Sequence, residues 1–378
     1  MDNMYKLPEP AFNSELVTLL FEIERLRTDI GRGTTPVETY MELHYLFDTV
    51  MSVVSARIEG NHTTVYEALD NISTQSPRSL EDHLKEIINI AAAARFIDES
   101  NPTQPLTHHF VRELHARTVE GLKREGDATP GQYRTRDVAI YGSAHTPPSW
   151  PNVHAEMTTL LEFANADYPM NQQILHIALA HHRFVWIHPF GNGNGRVSRL
   201  FTYAMLRRTV FSSRGRSALN PTSVFGNNRA EYISALERAD ALTTEGDIQW
   251  ATFFAQGIRD DLGRLINLQE KEYVLSELVF PTLSKLVEED IISEETRQIL
   301  RLVAEKGVVK AGDLSEVLPG SATQRSRAIK GLVDRNLLRH SSDGPRFYHL
   351  SLARGPIAAR LIRRLDELGY LPKMLSDD

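Results

Sequence analysis

Twelve consecutive residues hold the densest chemistry in the chain: His188-Pro189-Phe190-Gly191-Asn192-Gly193-Asn194-Gly195-Arg196-Val197-Ser198-Arg199. Pro189 and the glycines stop one helical pattern, and apolar periodicity resumes at Arg196, so the string is a turn between two helices. Such a turn directs the second helix's free N–H groups and positive dipole end into the loop. Glycines let the backbone approach an anion, and two arginines one turn apart can fork onto phosphate oxygens. A histidine at the mouth can take a proton near neutral pH. The combination predicts a nucleotide phosphate site with a general base. No Lys-Ser/Thr follows the last glycine, which excludes a Walker A loop.

Three other segments bear on that site. Val50, Val53, Val54 and Ile58 form an apolar stripe that ends at Glu59, an acid at the unfavourable end of a helix dipole unless a cation approaches it. Gln132–Pro148 reads as a short β-hairpin, with Val138 and Ile140 before a Gly142-Ser143 turn and Pro147-Pro148 at its end. His181 and His182 face different sides of one helix with no carboxylate at ligand spacing, so packing roles are expected for them rather than zinc.

The twelve-residue string resembles the motif of the Fic family, His-x-Phe-x-Asp/Glu-Gly-Asn-Gly-Arg-x-x-Arg. Pro130-Gly131-Gln132-Tyr133-Arg134, continuing to His145-Thr146-Pro147-Pro148, is similar to that family's flap. Ser55-Ala56-Arg57-Ile58-Glu59-Gly60 is similar to its inhibitory-helix motif. The resemblance implies transfer of AMP from ATP to a protein Ser, Thr or Tyr hydroxyl, with ATP and Mg²⁺ as cofactors. By it, His188 is the catalytic base, Gly193, Asn194 and Gly195 hold the α-phosphate region, and Arg196 and Arg199 hold the β- and γ-phosphates. Asn192 stands where the family usually has a metal-binding acid, and its single neutral oxygen is a weak Mg²⁺ ligand. The resemblance further implies that Glu59, supported by Ser55, restrains the enzyme by pairing with Arg199. It implies too that Val138, Ala139 and Ile140 of the flap dock the target, and that Tyr232, in Arg229-Ala230-Glu231-Tyr232, stands near the adenine pocket. Phe190 is expected to plug the core beneath the loop.

The elements that must position these residues are helical almost throughout. Apolar residues recur at helical spacing over Ser14–Arg27, Met41–Ile58, Asp82–Asp98, Thr107–Lys123, Val153–Ala164, Asn171–Ile187, Arg196–Arg208, Arg229–Leu242 and Ile248–Leu286. The fold class is therefore mainly α: a Fic-type helical bundle with a β-hairpin flap and a C-terminal winged helix-turn-helix. With 41% hydrophobic and 24% charged residues, 378 residues allow two or three folded domains. Zero cysteines exclude disulfides, a thiolate nucleophile and Cys-ligated metals. No apolar run of membrane-spanning length and no signal pattern occur, so a cytoplasmic protein without membrane contact is expected.

Charge divides the chain. Thr296–Tyr370 holds 14 Lys/Arg against 7 Asp/Glu, although the whole chain is −7. The expected division is an N-terminal helical region (1–108, inhibitory helix about 41–60), a catalytic core (109–265), a linker helix (266–292), a winged helix (293–352) and a helical tail (353–378). In the winged unit, helices start near Thr296, Asp313 and Ala322, and two strands flank Asp343-Gly344. The third helix, offering Gln324, Arg325, Arg327 and Lys330, with Arg346 on the wing, makes duplex DNA a candidate partner alongside a protein-binding role and a homodimer. Two rival functions stand beside AMP transfer. One is another reaction at the same site, such as removal of AMP or transfer of a different nucleotide or phosphate. The other is a DNA-binding regulator whose core senses nucleotide.

Overall fold

The computed structural model describes residues 4–74, 81–209 and 224–375; the remaining residues of the expected N-terminal region, core and tail lie outside it. Helices α1 (Glu15–Arg27), α2 (Val37–Ile58), α3 (Val65–Thr74), α4 (Asp82–Glu99) and α5 (His108–Val119) precede a long irregular segment. Helices α6 (Val153–Asn165), α7 (Gln173–Ile187), α8 (Asn194–Thr209), α9 (Val224–Asn227), α10 (Arg229–Ala239) and α11 (Thr244–Asn267) follow. The chain closes with α12 (Lys271–Tyr273), a π-helical turn at Val274–Val279, α13 (Phe280–Glu288), α14 (Glu294–Lys306), α15 (Ala322–Asp334), strands β1 (Leu338–Ser341) and β2 (Gly344–Leu350), and α16 (Gly355–Glu367). No helix among the described residues is long and apolar enough to cross a membrane.

Three sequence expectations change. Ile248–Leu286 is not one helix: it breaks at Leu268–Glu270, because the carbonyls of Leu268 and Gln269 accept from the Thr35 hydroxyl and N–H instead of continuing the helical ladder. The helix expected near Asp313 is only a 3₁₀ turn, Ala311–Leu314. The Gln132–Pro148 hairpin forms no ladder, so the one sheet among the described residues is β1–β2, antiparallel with Leu338 opposite Leu350. In its place the Arg134 guanidinium gathers the carbonyls of Arg136, Pro148 and His188, and two prolines that lack N–H groups close the segment.

Helix α2 runs through the middle and is buried on nearly every side. Its polar residues therefore need partners inside the protein. At its N-terminal half, Glu42 is 2% exposed and accepts from the Leu352 and Ala353 N–H groups, both at 2.9 Å, and from Arg339 at 2.6 Å. Glu38 takes the Ser341 hydroxyl at 2.7 Å. The C-terminal hairpin thus clasps the start of α2, whose other end carries Glu59. Arg229 Nε donates to the Ile58 carbonyl at 2.7 Å and Gly60, at φ 97°, turns the chain away.

Candidate active site

The loop between α7 and α8 is built by its own side chains. Asn194 closes it: its Oδ1 accepts from Phe190 N–H and its Nδ2 donates to Phe190 O, each at 2.9 Å. Both ends of the carboxamide are engaged, so Asn194 shapes the loop rather than presenting its side chain to a phosphate. Gly193 sits at φ 76°, where a Cβ would also press within 3.0 Å of Val119 Cγ1. Phe190 is fully buried and stacks on His115, ring centroids 3.8 Å apart. That contact makes it the core plug the sequence pattern anticipates.

His188 ends α7 in the left-handed conformation, φ 51°, which a non-glycine residue adopts only when its surroundings hold it there. Arg134 supplies much of that hold, with Nε on the His188 carbonyl and its own N–H on the Pro189 carbonyl, both at 2.9 Å. The imidazole Nδ1 lies 3.3 Å from the Val185 carbonyl. A carbonyl only accepts, so Nδ1 carries the proton and Nε2 keeps a lone pair. Desolvation, with the Arg134 charge assisting, lowers the imidazole pKa to about 4. The ring is therefore a neutral base at neutral pH.

The two motif arginines have different partners. Arg199 donates from Nε to Ser55 Oγ (2.9 Å), and from Nη2 to Ser55 O (2.9 Å) and Glu59 Oε1 (2.8 Å). The same Glu59 oxygen lies over Gly195, where an added Cβ would fall 2.2 Å from it. A carboxylate thus stands at the positive end of α8, the place an incoming phosphate would take. Burial opposes its charge, but the Arg199, Arg196 and Arg229 guanidiniums outweigh that and hold the Glu59 carboxyl below the usual range. Arg196, 1% exposed, instead turns to Glu86 Oε1 and the Glu125 carbonyl, both at 2.8 Å. Its Nε has no hydrogen-bond partner and keeps a donor for a further anion.

Asn192 does not fit a resident Mg²⁺. Its Oδ1 accepts from Gly193 N–H at 2.7 Å and its Nδ2 donates to Gly126 O at 3.2 Å, so the one neutral oxygen is already engaged. The nearby Asp127 carboxylate is occupied too, accepting from the N–H groups of Asn192 (3.0 Å) and Thr129 (2.8 Å). Each of these oxygens already accepts a backbone N–H, which leaves the pair a poor seat for a hard cation.

Tyr232 is 3% exposed, packed among Phe225, Trp250 and Phe253, with its hydroxyl on His181 Nε2 at 3.0 Å. The same hydroxyl interacts with Arg199 and Ser198, which sets the buried ring beside the Glu59–Arg199 pair. His181 and His182 are buried as expected, bonded to Thr202 and Asp240 respectively. In the flap, Val138 and Ile140 are half-buried and Ala139 is exposed on an unpaired extended backbone.

Sequence reasoning missed His115, Asp127, Glu86 and the role of Arg134. His115 accepts from Gly131 N–H at Nδ1 (2.9 Å) and donates from Nε2 to the Asn192 carbonyl (3.2 Å), joining flap base to loop. A lone His on the apolar pattern of α5 carries no signal of this.

Residues 105–206, which enclose the loop, match the family model described as Fic/DOC family. The chain is 29% identical over 203 residues to the protein adenylyltransferase Fic of Drosophila willistoni, covering 52% of this chain and 36% of that protein. It is 28% identical over 207 residues to the protein of the same name from Nematostella vectensis, covering 52% and 43%. The chain thus spans well under half the length of these curated relatives. Its fold is similar to a Fic family protein from Desulfovibrio desulfuricans (TM-score 0.54, 19% identity, 91% of this chain and 98% of that one). It is also similar to a Fic domain containing signaling protein from Bacteroides thetaiotaomicron (TM-score 0.53, 19% identity, 68% and 98%). Motif and matched region agree on a Fic/DOC family domain at residues 105–206, in a chain whose fold is similar to Fic family proteins.

Proposed function

We propose that the chain is a protein adenylyltransferase that transfers AMP from ATP to a protein Ser, Thr or Tyr hydroxyl, and that Glu59 restrains it. The observation that carries this reading is the Glu59 carboxylate seated on Arg199 before the α8 N-terminus: an anion site filled by the chain's own anion. In the reaction His188 Nε2 takes the hydroxyl proton as the oxygen bonds to the α-phosphorus. The bond to the bridging oxygen breaks and pyrophosphate leaves. The first N–H groups of α8 and the Arg199 guanidinium, once Glu59 withdraws, face the charge that builds on the phosphates. The unpaired edge at Val138–Ile140 offers main-chain groups to an extended target segment.

Intact-mass measurement of the full chain after incubation with ATP tests this. Glu59→Gly is expected to gain an AMP adduct at least about tenfold faster than wild type, as loss of one charge-assisted contact allows. His188→Ala is expected to gain none. In a chain that removes AMP with Glu59 as the base, Glu59→Gly would lose activity instead.

For the C-terminal unit, we read Glu294–Leu350 as a winged helix that meets duplex DNA. Arg327 and Lys330 are exposed on α15, and Arg346 is exposed on the hairpin. A mobility shift of duplex DNA by the full chain that weakens with salt supports it; no shift at low salt contradicts it.

A further inference from the structure

Apart from the motif loop, one group of metal-ligating side chains converges among the described residues: His44, Asp48 and Asp98. His44 and Asp48 lie one turn apart on α2, the helix that carries Glu59, and Asp98 is next to last on α4. His44 Nε2 stands 3.3 Å from Asp48 Oδ2 and 3.2 Å from Asp98 Oδ2. His44 is 2% exposed and Asp48 4%. A ring nitrogen carries at most one proton, and its hydrogen bond goes to Asp98. Neither carboxylate oxygen of Asp48 has a hydrogen-bond partner, and His44 Nδ1 has none either.

A buried carboxylate with no donor is costly, and native proteins rarely leave one. Here the orphan acid is aimed at an imidazole and a second acid. Ligands at about 2.1 Å from one cation stand about 3.0 Å apart at octahedral angles and about 3.4 Å at tetrahedral ones. Both separations measured from His44 fall inside that interval. Asp98 is oriented as an outer shell would orient it: the Tyr203 hydroxyl donates to Oδ1 and Arg207 Nε lies 3.4 Å from the same atom, which leaves Oδ2 toward His44. Beside Asp48, a cavity of about 360 Å³, lined by Tyr45, Thr49 and Arg95 among others, gives access and room for water ligands.

We propose that His44, Asp48 and Asp98 bind one first-row divalent metal ion, Zn²⁺ or Mn²⁺, that fastens α2 to α4. One imidazole and two carboxylates suit these ions, whereas Mg²⁺ and Ca²⁺ favour oxygen-only shells. The two carboxylates supply the negative charge facing the ion, while the Arg207 guanidinium stays on the far oxygen of Asp98. The rival occupant is a proton, with a His44 imidazolium between two acids.

The test uses the untagged full chain, stripped with chelator and free of nucleotide, titrated with Zn²⁺ and Mn²⁺. Metal retained after desalting is counted by mass spectrometry. One equivalent per chain is expected, with affinity at least about tenfold lower in Asp48→Asn and His44→Gln. Wild type that retains no metal, or Asp48→Asn that binds as tightly as wild type, overturns the proposal. Should either variant fail to fold, X-ray absorption of Zn²⁺-loaded wild type decides: one imidazole nitrogen with oxygens supports the site, and a shell of two or more imidazoles overturns it. None of these readouts involves AMP transfer, so their failure leaves the proposed activity standing.

Discussion

The Glu59 carboxylate lies 2.8 Å from the Arg199 Nη2 and directly over the Cα of Gly195. One residue thereby answers both features that would draw a triphosphate, the guanidinium and the open N-terminus of α8. A third of the Glu59 side chain stays accessible, so the contact can be exchanged for a stronger anion.

The same helix is gripped at its far end, which gives a first prediction. Glu42→Ala removes the acceptor for the Leu352 and Ala353 N–H groups and for Arg339. Leaving those donors unsatisfied is expected to cost about 2–4 kcal/mol, read as a lower denaturation midpoint. It is also expected to raise basal AMP incorporation, by less than Glu59→Gly does. Stability unchanged in Glu42→Ala would show that the clasp does not hold α2.

Acid should act in a defined direction. Burial lowers His115, His176 and His188 each to about 4, so between that value and the ordinary histidine range the unfolded chain binds more protons than the folded one. Stability is then full above about pH 6.5 and falls as pH drops toward 4. Thermal scans across that window check it. For His188 itself, transfer should be nearly level from about pH 6 to 8, because the base is already deprotonated there. A rate that halves near pH 6.5 would mean an ordinary, solvated imidazole.

Arg134 supports the site from behind. Replacing it with Leu leaves the carbonyls of His188, Arg136 and Pro148 without their shared donor. We expect a loss of about 2–4 kcal/mol in denaturant unfolding and a fall in turnover larger than any change in ATP affinity, since the strained His188 backbone relaxes. ATP affinity falling in step with turnover would place the effect in nucleotide binding instead.

Asn192→Asp keeps the acceptor for Gly193 N–H and adds a charged oxygen at the loop mouth. The Mg²⁺ concentration that gives half-maximal AMP incorporation should fall several-fold. An unchanged metal titration would count against Asn192 as the position that limits metal use.

What the sequence discloses depends on how local the cause is. The His188–Arg199 turn is legible because Pro189, the glycines and the helix start are contiguous, and the phosphate site proposed for it follows from them. Glu59 shows itself as an acid at the wrong end of a helix. By contrast, Arg196 meets Glu86 across 110 residues, and no local pattern indicates that it turns inward. Nor does any local pattern at Tyr232 show that its ring packs among Phe225 and Trp250 while its hydroxyl meets Arg199. The flap alternates like a hairpin, yet pairing was decided by Arg134, which draws its carbonyls away from any ladder.

If Glu59 occupies the triphosphate's place, α8 receives the nucleotide once that carboxylate is gone. A crystal structure of Glu59→Gly with a non-hydrolysable ATP analogue checks this. Phosphates are expected at the N–H groups of Gly195 and Arg196, with Arg199 turned onto them and His188 Nε2 facing the α-phosphorus. Nucleotide bound away from the loop, or His188 turned from that phosphorus, would contradict it.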